Sequence, residues 1–251
     1  MGNGLARGQD GPGHRHARPV TGSEQADDGT QLRRVLTYAR RGSRLTPRQA
    51  AAWERRAEAW AVGPEVAEDP TVRWAEVFGR DAPLTVEIGS GVGETAIAVA
   101  AARPEHNVLA LEVWHPGQAD ALARAEEAGI ENLRVCGLDA VWAVEHRFAD
   151  GEIDELLTFF PDPWPKTRHH KRRIVAPDFA ARAATRLAVG GWWRLATDWA
   201  PYAEVMREVL DAEPALDGGP VERWDLRPLT RFERKGHAAG REVADLAYRR
   251  V

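Results

Sequence analysis

The sequence predicts an α/β protein built on a mostly parallel, twisted sheet with helices on both faces, and three observations carry that expectation. From Leu84 onward, short apolar segments of strand length alternate with stretches of helical spacing, the pattern that successive βαβ units produce. The first of those segments, LTVEIG, runs directly into a glycine-rich turn, Gly89-Ser90-Gly91-Val92-Gly93, that opens a helix. The chain has 251 residues, 43% of them hydrophobic, enough for one main domain with a full core.

Ahead of that core, residues 1–40 read as a disordered or flexible basic extension and residues 41–251 as the domain. The first 30 residues are rich in Gly, His, Arg, Asp and Pro with almost no periodic apolar positions, so they cannot offset the entropy of ordering. Residues 1–45 hold eight Arg against four acids, whereas the whole chain carries −4. An arm near nucleic acid and a solvated tail without specific contacts both fit that composition. Thr46 then caps a helix that starts at Pro47 and runs to Trp60. Trp53 and Trp60 share one face of it and turn to the core, and residues 72–79 form another short helix.

The alternation follows in order. LTVEIG is a strand, TAIAVAAARP a helix stopped by Pro104, NVLALEV a strand, PGQADALARAEEAG a helix with Gly129 at its end, and NLRVCGLDA a third strand. IDELLTFF supplies the fourth strand, DFAARAATRLAVGG a helix ending in glycines, and WWRLATD the fifth strand, in which Trp192 and Trp193 point to opposite faces. Pro201 to Leu210 is the next helix and Asp245 to Arg249 a last strand. No run approaches the roughly 18 apolar residues that a membrane helix needs. The N-terminus lacks the apolar centre of a signal peptide, which places the protein in the cytoplasm. The single cysteine, Cys136, has no disulfide partner, and neither it nor the eight His show zinc spacing. Cys136 reads as a small buried residue, and no metal is expected.

Ligands in such a sheet bind beyond the carboxyl ends of the strands, so the strand ends form the candidate site. Glu87 precedes the glycine turn, and Glu94 follows it where a dinucleotide-binding GxGxxG has its third glycine. Gly89 and Gly91 permit the tight turn and let a ligand approach the backbone. Two carboxylates beside that turn repel a pyrophosphate but suit an ammonium or sulfonium centre, such as that of S-adenosylmethionine. Glu112 ends the second strand, where a carboxylate accepts from both ribose hydroxyls of an adenosine. Asp139 ends the third, close enough to accept from an adenine amino group. Each acid taken singly could also be a helix N-cap.

The fourth strand ends in FFPDPWPKTRHHKRR, Phe159 to Arg173. Pro161 and Pro163 fix the backbone around Asp162 so that its carboxylate projects into the crevice, and Trp164 walls the pocket or stacks on a base. Lys166, Arg168, His169, His170, Lys171, Arg172 and Arg173 follow within eight residues, a cationic face suited to phosphates on a chain that is acidic overall.

Taken together, EIGSGVG, PDPWPKTRHHKRRI, ATDWAPYAEVM and TRFERKGH, in this order and spacing, resemble the bacterial tRNA (guanine-N7-)-methyltransferase family from about residue 40 to the C-terminus. The resemblance implies a Rossmann-like class I methyltransferase fold with a C-terminal antiparallel strand. It implies that S-adenosylmethionine donates a methyl group to N7 of the guanine at position 46, in the variable loop of tRNA. Glu87, Glu112, Asp139 and Asp162 would contact the cofactor, with Asp162 also the catalytic residue. Lys166, Asp198, Thr230, Arg231, Phe232 and Glu233 would meet the substrate, and Arg168, His169, His170, Lys171, Arg172 and Arg173 the tRNA. His170 stands where relatives often have Asn, and Arg231 where they often have Lys.

Other readings are distinguishable. A dehydrogenase would share the sheet and Glu112 but want the glycine that Glu94 replaces. A non-catalytic RNA-binding protein would leave the strand-end acids without work, and a methyltransferase of another substrate has little use for RHHKRR. Without the resemblance, Thr230 to Gly236 reads as a polar surface loop. The sequence leaves monomer and homodimer both open.

Overall fold

A computed structural model of the chain describes residues 36–38 and 42–251. Residues 1–35 and 39–41, most of the expected extension, lie outside the described residues. In chain order the elements are α1 (Pro47–Trp60), β1 (Ala61–Val62), α2 (Pro64–Ala67), α3 (Trp74–Phe78), β2 (Leu84–Ile88), α4 (Glu94–Ala102), β3 (Asn107–Leu111), α5 (His115–Ala128) and β4 (Leu133–Cys136). They continue with α6 (Ala140–His146), β5 (Ile153–Phe159), a 3-10 helix (Thr167–Arg172), α7 (Pro177–Arg186), β6 (Leu187–Thr197), α8 (Ala200–Asp211), β7 (Leu216–Val221), α9 (Arg231–Ala238) and β8 (Ala244–Arg250).

The strands form one sheet in the order β1-β4-β3-β2-β5-β6-β8-β7. All neighbours from β1 to β6 run parallel, and β8 lies antiparallel between β6 and β7. The chain builds outward from β2 through β3 and β4, then returns to the other side of β2 with β5. The gap between the carboxyl ends of β2 and β5 is therefore the topological switch point, where a ligand crevice opens.

Side chains alternate across this sheet with the strand period. Leu84, Val86 and Ile88 join a core with Leu109 and Leu111 of β3 under α3, α6, α7 and α8. Val108 and Ala110, one residue out of phase, join a second core with α1, α4 and α5. Each Leu, Ile or Val so buried contributes roughly 1.5–3 kcal/mol, and with both faces covered the strands read as continuous apolar runs. Trp193 is fully buried against Phe179 in the first core, whereas Trp192 faces the other way and is 36% exposed. At the start of α1, the Thr46 hydroxyl accepts from the Gln49 N–H while Gln49 Oε1 accepts the Thr46 N–H at 2.9 Å, a capping box. Among the described residues no helix is long and apolar enough to cross a membrane.

Three local expectations are corrected. The helix after Pro177 ends at Arg186, and LAVGG belongs to β6. Gly190, at φ 83°, lets the strand bulge there, and the pairing register with β5 jumps between Ile153 and Glu155. The third strand stops at Cys136, so Asp139 is a helix cap and not a strand end. Thr230 to Gly236 is not a surface loop: residues 231–236 lie in α9, and Glu233 is 1% exposed. The short edge strand β7, LDGGPV, carries too many glycines to be read as a strand from its composition.

A candidate active site at the switch point

Glu87, Glu112 and Asp162 converge on one cleft at the switch point, together with Gly89, Gly91 and Thr230. Glu87 sits one residue before the end of β2 and is 4% exposed. Burial, first of all, pushes its pKa up to about 8. Hydrogen bonds from the Ala96 backbone and the Thr95 side chain at the start of α4 oppose the rise, and the charge of Glu112 adds to it. Its Oε2 has no hydrogen-bond partner among the described residues. A buried carboxylate oxygen without a donor is costly, and a cationic donor entering the cleft would satisfy both its charge and its lone pairs.

The glycine turn is shaped for close approach. Gly89 and Gly91 adopt φ of 68° and 59°, and a Cβ on either would project into open space. Glycine is thus needed there for the left-handed backbone, and the missing side chains leave the turn bare toward the cleft. Glu112, 8% exposed, holds this turn from the end of β3: Oε2 accepts the Gly91 N–H and Oε1 the Trp114 N–H, each at 2.7 Å. Carboxylate oxygens accept more than one hydrogen bond each, so the same group can tie the two loops together and receive ligand hydroxyls. Asp139 is 5% exposed, and its Oδ1 accepts the Trp142 N–H at 3.0 Å to cap α6. Its neighbours Leu138 and Ala140 face the cleft.

The segment after β5 forms a strained five-residue turn. Phe160 and Trp164 have φ of 50° and 43°, a left-handed backbone that costs a non-glycine residue roughly 1–3 kcal/mol. Between them Asp162 faces the cleft. Trp164 Nε1 donates to the Thr37 carbonyl at 3.0 Å. Arg172 stacks 3.5 Å above the Trp164 ring centre and donates to the Leu36 and Tyr38 carbonyls. This latch brings Thr37 and Tyr38 into the cleft wall, a contribution from within the expected extension that no local sequence signal announces.

The basic run divides by direction. Lys166, Arg168, His170 and Lys171 are exposed on the 3-10 helix and the residue preceding it. His169 lies edge-on to Trp164, and burial, then Arg168, Arg172 and Lys166, lower its pKa, favouring the neutral ring. Arg173, expected with the exposed cations, is 7% exposed and turned inward.

The remaining substrate candidates meet around α9. Thr230 caps the helix, its hydroxyl accepting the Glu233 N–H at 3.3 Å, and lines the cleft. Glu233, 1% exposed, is held in ion pairs with Arg223 at 2.6 Å and Arg227 at 2.7 Å. Arg227, 1% exposed, also binds Asp245 through two nitrogens at 3.0 and 2.8 Å and lies 5.4 Å from the Phe160 ring centre. In sequence Arg227 looks like any charged loop residue. Asp198, after β6, pairs with Arg241 at 2.9 Å. The side chains of Arg231 and Phe232 lie outside what is described.

A family model described as "Putative methyltransferase" matches residues 81–246. A tRNA (guanine-N(7)-)-methyltransferase of Nocardioides sp. is 57% identical over 238 residues, covering 95% of each chain. One of Cutibacterium acnes is 46% identical over 237 residues, covering 89% of this chain and 86% of the relative. Among solved structures, a 16S rRNA methyltransferase superposes with a TM-score of 0.53 at 17% identity, over 71% of this chain and 93% of that one, a likeness of fold.

Proposed function

Because the chain belongs to the tRNA (guanine-N(7)-)-methyltransferase family, we propose that it transfers a methyl group from S-adenosylmethionine to N7 of a guanine in tRNA. The target is the guanine at position 46 of the variable loop, and the enzyme works in the cytoplasm. The observation that carries this reading is the convergence of Glu87, Glu112 and Asp162 on one cleft beside the bare glycine turn.

The residues fit such a donor. Glu87, with an orphaned buried oxygen, is the group for its cationic amino-acid end, Glu112 the acceptor for ribose hydroxyls, and Gly89 and Gly91 the bare backbone beneath. Asp139 stands at the adenine side with Leu138 and Ala140. When bound, the donor supplies a sulfonium-activated methyl group. Guanine N7 has an in-plane lone pair and no proton at neutral pH, so the protein has to align it and needs no strong base. Asp162, facing the cleft from the strained turn, stabilises the positive charge that develops on the purine. Asp198 can accept from the guanine N1 and N2 donors once released from Arg241, and Lys166 and Thr230 flank the substrate side. Lys166, Arg168, His170 and Lys171 offer the exposed cationic edge for tRNA phosphates.

The test is to incubate the purified protein with labelled S-adenosylmethionine and total tRNA, then map the label by chain cleavage at 7-methylguanine. Label at the variable-loop guanine is expected; label elsewhere, or none, would overturn the reading.

A further inference from the structure

Arg173 stands at the end of a run of cations, yet it is 7% exposed while Lys166, Arg168, His170 and Lys171 lie at the surface. Its Nε donates to the Pro163 carbonyl at 2.9 Å, inside the turn and directly after Asp162. Its guanidinium lies 4.8 Å from the ring centre of Tyr202 on α8. Tyr202 is itself fully buried, and its hydroxyl accepts the Val175 N–H at 3.1 Å, so α8 grips the backbone just after Arg173 as well as its side chain. The charges of both Arg173 and Asp162 act on the Tyr202 hydroxyl, which places the three in one neighbourhood.

The turn needs such a brace. Phe160 and Trp164 both hold left-handed backbone, at φ 50° and 43°, a conformation that persists only where the surroundings over-determine it. Pro161 and Pro163 have no N–H with which to stabilise the turn from within. The Phe160 N–H is tied to the Ala196 carbonyl at 2.8 Å and the Trp164 indole to Thr37 at 3.0 Å. Arg173 supplies the bond in the middle.

We propose that Arg173 is a positioning residue for the methyl transfer, bracing the Phe160–Trp164 turn so that Asp162 faces the cleft, and that it does not contact tRNA. The inference rests on the functional reading above. A directed Nε–H and a planar group over an aromatic ring are properties of arginine that lysine lacks, whereas a phosphate contact as a point charge is one that lysine keeps. Arg173→Lys therefore separates the two roles.

Three quantities are measured on wild type and on Arg173→Lys: the single-turnover methylation rate at saturating donor and tRNA, the tRNA Kd over a salt series, and thermal stability. The expected result is a single-turnover rate lowered at least tenfold, with tRNA Kd and its salt slope unchanged. A wild-type rate overturns the proposal, as does a weakened tRNA Kd with a shallower salt slope in Arg173→Ala, which removes the charge, the pattern expected of the exposed Lys171→Ala. Should Arg173→Lys fail to fold, Tyr202→Leu, which removes the ring under the guanidinium, decides: the same rate loss at unchanged tRNA Kd supports the brace, and a wild-type rate overturns it. A wild-type protein that methylates no tRNA overturns the brace together with the reading beneath it.

Discussion

Arg227 and Glu233 face each other wholly inside the protein, Nη1 to Oε2 at 2.7 Å with 1% of either side chain exposed. The pair is completed by Asp245 on the other side of Arg227 and by Arg223 on the other side of Glu233. It binds α9 to β8 and backs the ring of Phe160, where the turn that carries Asp162 begins. Glu233 therefore fixes α9 and with it Thr230, which lines the cleft. Removing one member of a buried ion pair strands the other's charge, at a cost of about 3–5 kcal/mol, and Arg227 is the cation that the buried Glu233 and Asp245 share. Arg227→Met is expected to lose stability of that order in urea unfolding; a loss below about 1 kcal/mol would place the network among surface bridges.

Glu87 makes stability depend on pH in a defined direction. Its pKa is raised from 4.5 to about 8 in the folded protein, so between those values the folded state holds a proton that the unfolded state has released. The associated stability is fully present below about 4.5 and is lost as pH rises through about 8. Relative to Glu87→Gln, the wild-type melting temperature should fall across that window in the absence of ligand. Binding a cation beside Glu87 favours the ionised form, so calorimetry at pH 7 in buffers of different ionisation enthalpy should show proton release on S-adenosylmethionine binding. Glu87→Gln should show none; equal release in both proteins would remove Glu87 from the donor site.

The exposed cations are tested by salt. If Arg168 and Lys171 each neutralise one phosphate, the double alanine variant should shallow the plot of log K against log salt by roughly 1.4–1.8, about 0.7–0.9 per contact. Filter binding of a tRNA transcript over a salt series measures it. An unchanged slope would move the tRNA to another face.

Much of this was legible in the sequence where a single element carries the signal. The strand alternation, the bare glycines and the placement of Glu87, Glu112 and Asp162 follow from period and strand-end position alone. Asp139 was ambiguous because an acid before a helix and an acid ending a strand look alike, and the structure makes it the α6 cap. Arg173 could not be told from its neighbours because direction within a cation run is set by a 3-10 turn and by Tyr202, 29 positions downstream. The same holds for Arg227, whose partners Glu233 and Asp245 lie on separate elements. The latch of Trp164 and Arg172 on residues 36–38 joins segments more than 120 positions apart, beyond any local pattern.

The most direct measurement of the central claim compares two tRNA molecules that differ at one ring position. A tRNA assembled with guanine at position 46 and one with 7-deazaguanine there are each incubated with the protein and labelled S-adenosylmethionine under single-turnover conditions. The account predicts one methyl group per molecule on the first and none on the second; equal labelling of both would contradict it.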